Sequence, residues 1–83
     1  MTEPLRVRLS EERHATALAR ELRELARFDL EQREGIWEIT VAGTLGDRAV
    51  VRVLNAVRRA LAGELTSTAL VLMDGREYVL QGE

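Results

Sequence analysis

Between Ile36 and Ala62 the spacing of apolar residues changes from two to three and four. That switch constrains the chain more than any other feature. Trp37, Ile39 and Val41 alternate with Glu38 and Thr40, the period of a strand with one buried face. Val50, Val53, Leu54, Val57 and Leu61 then recur at the spacing of a helix with one apolar side. A strand therefore hands over to a helix through Gly43-Thr44-Leu45-Gly46-Asp47, and the rest of the chain must supply layers that cover them.

At 83 residues the chain makes one domain, residues 1–83. A domain of this size buries roughly 60–65% of the surface its unfolded chain exposes, so its stability is thin and association would help it. Cysteine is absent, which removes disulfides, thiolate-bound zinc, iron–sulfur clusters and thiol catalysis together. No apolar run reaches the roughly 18–20 residues of a membrane span. The start Met1-Thr2-Glu3-Pro4 lacks the basic-then-apolar order of a signal peptide, so the reading is a cytoplasmic protein with no membrane segment. A net charge of −2 argues against a generally basic nucleic-acid binder. All 12 basic residues are arginine, a bias that fits codon usage better than a role for each guanidinium.

Leu5, Val7 and Leu9 alternate with Arg6 and Arg8 and make a first strand, apolar on one face and cationic on the other. Ser10 is placed to cap a helix starting at about Glu11, with Glu11 and Glu12 meeting the positive end of its dipole. Ala15, Leu18, Leu22, Leu25 and Ala26 form the buried stripe of that helix, and Arg13, Arg20, Glu24 and Arg27 lie on a solvated side. Phe28 to Arg33 reads as a short strand leading through a Glu34-Gly35 turn into the Trp37 strand. Read as a loop instead, it would replace that hairpin with a parallel crossover. Asp47 is expected to cap the second helix, about Arg48 to Ala62, with Gly63 in the left-handed conformation near its end.

Asp74-Gly75, between Thr68–Met73 and Glu77–Gln81, is the strongest hairpin signal in the chain, because a type I′ turn needs positive φ at both central positions. A two-residue loop pairs Met73 with Arg76, Leu72 with Glu77, Val71 with Tyr78, Leu70 with Val79 and Ala69 with Leu80. One face then carries Ala69, Val71, Met73, Tyr78 and Leu80, and the other Leu70, Leu72 and Val79. Both faces are apolar, whereas a sheet covered on one side needs only one such face. Either the hairpin folds over a sheet end or it meets a partner. The second reading makes Val71, Met73, Tyr78 and Leu80 candidate contacts, with the edge backbone of Tyr78–Gln81 open to strand pairing.

Other candidates carry less chemistry. Gly43, Thr44 and Gly46 precede a helix N-terminus, where backbone N–H groups can hold an anion. The loop lacks the lysine of a phosphate-binding loop, and Asp47 repels anions. Arg48, Arg52 and Arg59 can share a side of the second helix and contact phosphates, but no aromatic platform accompanies them, so nucleic acid ranks low among partners. His14 lies one turn after Ser10 with no acid obviously placed to orient it. A lone histidine without cysteine makes no zinc site, and the expectation is no enzyme, no metal and no cofactor.

The order strand, helix, strand, strand, helix, strand, with an added C-terminal strand, resembles a ferredoxin-like two-layer sandwich. This is an α+β fold with two helices on one face of a mostly antiparallel sheet. The segment Gly43 to Glu83 resembles the small effector-associated constant component domains of actinobacterial conflict systems. Its glycine-bearing loop, the helix Ala49-Val50-Val51-Arg52-Val53-Leu54-Asn55-Ala56-Val57-Arg58-Arg59-Ala60-Leu61 and the closing hairpin carry the likeness. That resemblance implies an adaptor module without catalytic residues. The expected function is a protein–protein interaction module, a homodimer or the partner of another protein, associating through the C-terminal hairpin. A regulatory domain binding a small ligand beside the Gly43–Gly46 loop is the alternative.

Overall fold

In a computed structural model that describes residues 4–43, 46–63 and 67–82, the chain forms β1 (Leu5–Leu9), α1 (Glu12–Leu22), β2 (Phe28–Arg33), β3 (Ile36–Val41), α2 (Asp47–Ala60), β4 (Thr68–Met73) and β5 (Arg76–Gln81). The five strands make one antiparallel sheet in the order β2-β3-β1-β4-β5. Each helix links two strands that run parallel with a third between them, the split β-α-β arrangement. The fold is a two-layer α+β sandwich of ferredoxin-like type with β5 added at one edge. Phe28–Arg33 is a strand, paired along its length with β3.

The core lies between the sheet and the two helices. Leu5, Val7 and Leu9 of β1 meet Ile39 and Val41 of β3 and Ala69 and Val71 of β4 on one face. Ala15, Leu18 and Leu22 of α1 and Val53, Ala56 and Val57 of α2 close over them, with Leu61 just past the end of α2. Leu25 and Ala26 join this core from a turn and not from the helix. The amides of both bond to the Leu22 carbonyl, at 2.9 and 3.0 Å.

Both helices begin one residue away from their expected caps. Glu11, extended at φ −123° and ψ 135°, is the N-cap of α1, and Ser10 is not. The Glu11 carboxylate caps nothing. It pairs with Arg13 at 3.2 Å and His14 at 3.2 Å, so the local competition among side chains displaced the simple cap. Gly46 precedes α2 in an extended conformation, and Asp47 is its first residue, still well placed against the helix dipole.

Both hairpins turn through a residue and a glycine at positive φ: Glu34 and Gly35 at 51° and 80°, Asp74 and Gly75 at 52° and 71°. The β4–β5 register is the one a two-residue loop requires. A Cβ built on Gly75 meets no atom within 4 Å, so any cost of replacing it is conformational. Gly75→Val is expected to lose about 1–2 kcal/mol in urea unfolding, and Gly75→Asn clearly less, because asparagine tolerates the left-handed region. Equal losses in the two variants would show that crowding and not φ sets the cost.

Candidate interaction surface

Cross-strand neighbours share a face, so the alternation of β1 decides which side of the hairpin the helices cover. Val7 lies opposite Val71, and Arg8 lies opposite Leu70. Val71 is therefore on the helix side and fully buried, and Met73 and Leu80 pack against the core beside it. Of the expected contacts only Tyr78, 39% exposed, reaches solvent appreciably. Val71 is core and unavailable to a partner. The hairpin's open apolar side is the other one, with Leu70, Leu72 and Val79, the last 63% exposed. This corrects the choice of face. Adjacency of β1 and β4 was the missing fact, and the ferredoxin-like topology already implied it.

The helix-free side of the sheet has three rows running from β2 to β5. One is Asp29, Thr40, Arg6, Leu72, Glu77; the next is Glu31, Glu38, Arg8, Leu70, Val79. At the end near the α1 connection, Arg33 and Ile36 lie on one side and Thr68 and Gln81 on the other. The β2, β3 and β1 portion is mostly charged, and the β4–β5 portion carries Leu70, Leu72 and Val79 with Thr68, Glu77 and Gln81 around them. Arg8 Nε donates to Glu38 at 3.0 Å and Arg6 shares that carboxylate at 3.9 Å, while Arg33 pairs with Glu31 at 3.2 Å. These are exposed pairs, each worth at most about 1 kcal/mol. An open depression of about 510 Å³ lies on this side, bordered by Arg8, Ser10, Arg33, Ile36 and Leu70.

The remaining candidates are scattered. Gly43 has φ +85° and Gly46 precedes α2; Thr44 lies outside the described residues. Arg48, Arg52 and Arg59 are exposed on α2, but α1 brings acids to the row. Arg59 Nε donates to Glu21 at 2.6 Å, and Arg52 and Asn55 border a depression shared with Glu21 and Glu24. Arg59 thus faces a carboxylate supplied from 38 residues away, which helical spacing within α2 could not reveal.

His14 does have an acid to orient it. Its Nδ1 is 3.2 Å from a Glu11 oxygen, and the Ser67 hydroxyl donates to the same oxygen at 3.5 Å. The ring is only 4% exposed, so the trio joins the start of α1 to the approach to β4 as a structural clasp. The i, i+3 spacing of Glu11 and His14 was the available signal. Ser10 instead borders the depression on the open sheet side.

Among the described residues no group of three or more His, Cys, Asp or Glu is placed to hold a metal ion, and no helix is long and apolar enough to cross a membrane. Comparison with protein-family models, curated proteins and solved structures gives no match.

Proposed function

We infer that the chain is a non-enzymatic interaction module of the adaptor kind that associates with a second copy of itself through the C-terminal hairpin. The observation that supports this reading is the helix-free side of β4–β5. Leu70, Leu72 and Val79 form an apolar strip there, with Val79 63% exposed on an edge strand. Scattered apolar residues need no explanation, but Leu70 and Val79 are cross-strand neighbours and Leu72 follows Leu70 on the same face of β4, so the three form one patch. An edge strand also carries unpaired backbone groups, which favour a contact there.

The depression bordered by Arg8, Ser10 and Arg33 supports a second reading, a regulatory domain that binds a small anionic ligand. It ranks below the first because Glu38 and Glu31 already hold those arginines, and an anion would have to displace a carboxylate from each.

Light scattering on a size-exclusion column tests the first reading. The wild type is expected as a concentration-dependent dimer. Val79→Glu, at an exposed position, is expected to keep the wild-type circular dichroism and weaken association at least about tenfold, or about 1.4 kcal/mol. A wild type that stays monomeric at high concentration, or a Val79→Glu variant that dimerises as before, would sink it.

A further inference from the structure

We propose that two copies join edge to edge through β5, antiparallel and with Val79 opposite its twin, so that the two five-stranded sheets run on as one. The proposal rests on the reading of the hairpin as the contact and adds which edge meets the second copy and in what register.

Backbone alternation decides which groups of β5 are open. In an antiparallel ladder every second residue bonds to the neighbouring strand, and those between turn their N–H and C=O the other way. The Gly82 amide donates to the Ser67 carbonyl at 3.0 Å, in step with the β4–β5 pairs. Gly82, Leu80, Tyr78 and Arg76 therefore bond towards β4, and Glu77, Val79 and Gln81 turn their backbone groups outward. On β2, the Ala42 amide donates to the Arg27 carbonyl at 2.8 Å, and the same alternation leaves Phe28, Leu30 and Gln32 turned outward. Both edges thus offer a row of backbone groups, and side chains decide which edge can use it.

The two-fold axis of such a pair stands normal to the sheet, so each side chain meets one from the same face. β2 is guarded against its own twin. Paired about Leu30, it sets Asp29 against Glu31 twice; paired about Glu31, it sets that carboxylate against itself. Like charges directly opposite are destabilising. Paired about Val79, β5 meets no such conflict. Val79 then faces Val79, Tyr78 faces Leu80 and Glu77 faces Gln81, and the outward groups make about six backbone hydrogen bonds. Pairing about Tyr78 instead lays Glu77 against Val79 and Arg76 against Leu80. The pairing of β5 with β4 is unbroken by a bulge, and the strand holds no proline or lysine to blunt its edge. Joining β5 to β2 of another copy would leave one of each free and grow without closing.

The helix layer points to the same edge. Arg52, Asn55 and Arg59 mark the side of α2 towards α1. On the other side Arg58 borders a hollow with Val79, Leu80 and Gln81. Leu54 and Val51, one and about two turns before Arg58, lie along that flank. Among the described residues the exposed large apolar side chains are Leu30, Ile36, Val51, Tyr78 and Val79, and the last three therefore gather at the β5 edge. A second copy brings its own α2 flank to face this one over the paired strands. A lone peptide strand could pair with β5 but would leave Val51, 54% exposed, bare. On the helix-free side Leu70 and Val79 of the two copies form one continuous apolar row.

The chain contains no cysteine, so single cysteines can be placed at will, and exposed positions keep the fold. Residues opposed in a hydrogen-bonded pair have Cα atoms about 5.5 Å apart, within disulfide range. Val79→Cys is expected to form a disulfide with its twin on mild oxidation. A mixture of Glu77→Cys and Gln81→Cys is expected to give several-fold more disulfide dimer than either alone, because each lies about 13 Å from its own twin in this register. Arg33→Cys, on the β2 edge, sets the level of chance oxidation, and oxidation in urea should bring every variant down to it. A wild type that is dimeric by light scattering, with Val79→Cys no more cross-linked than Arg33→Cys, would overturn the edge pairing and leave the hairpin contact standing. A Glu77→Cys and Gln81→Cys mixture no better than its components would overturn the register. A monomeric wild type would remove both the edge pairing and the reading beneath it.

Discussion

Val71→Glu is expected to abolish the folded state, and Leu70→Glu, one residue earlier, to leave it intact. Val71 is fully buried among Val7 and the other apolar residues between sheet and helices, with no cation in that cluster to pair with a carboxylate. A chain of 83 residues has a total stability of about 4–12 kcal/mol at the usual share per residue. An unpaired carboxyl in an apolar site costs several kcal/mol whether it stays ionised or takes up a proton, and the lost valine packing adds to that. The sum is comparable to everything the fold has. Leu70 faces the helix-free side opposite Arg8, so a glutamate there meets a guanidinium and water and should change stability by no more than about 1 kcal/mol. Circular dichroism and urea unfolding of the two variants check this. A Val71→Glu variant with a cooperative transition near the wild-type midpoint would contradict the burial of β4's inner face.

The contrast also marks what could be read from residues alone. Period-two alternation in β1 and β3, the register of β4 with β5 and the Glu34-Gly35 turn were all legible, because each depends on neighbours in sequence or on a turn with few solutions. The strand at Phe28 followed from the same logic. The choice between the hairpin's two faces was not legible from the hairpin, since Val71 and Leu70 are equally apolar and only the neighbouring β1 distinguishes them. Cap positions failed for a related reason. Glu11 serves Arg13, His14 and Ser67 at once, and Ser67 lies 56 residues away, so no local rule could weigh that demand against capping. The ion pair of Arg59 was not legible from α2 either, because its acid, Glu21, comes from α1. Long-range pairing converts residues that look available, such as Val71 and Arg59, into residues already engaged.

The second large effect is expected at Leu18. It is the central fully buried residue of the α1 stripe, between Ala15 and Leu22, in the cluster that holds β1 and β3 on the sheet side and α2 beside it. Leu18→Ala removes methylene contacts where the surroundings belong to three different elements and cannot easily collapse. It should cost about 2–5 kcal/mol, a large fraction of the total. Leu25→Ala, in the partly buried turn after the helix, should cost clearly less. Urea unfolding should show a lower midpoint with an unchanged slope for Leu18→Ala, because the same surface is exposed on unfolding. The comparison must be made at low protein concentration. If two copies join through the hairpin, association adds stability by mass action and hides part of the loss at high concentration. A midpoint for Leu18→Ala that rises with protein concentration, while that of Leu18→Ala with Val79→Glu does not, would separate packing within a copy from the contact between copies. The helices would then hold the inner face of the sheet and the second copy its edge. A loss below about 1 kcal/mol at Leu18 would mean instead that α1 contributes little to holding the sheet.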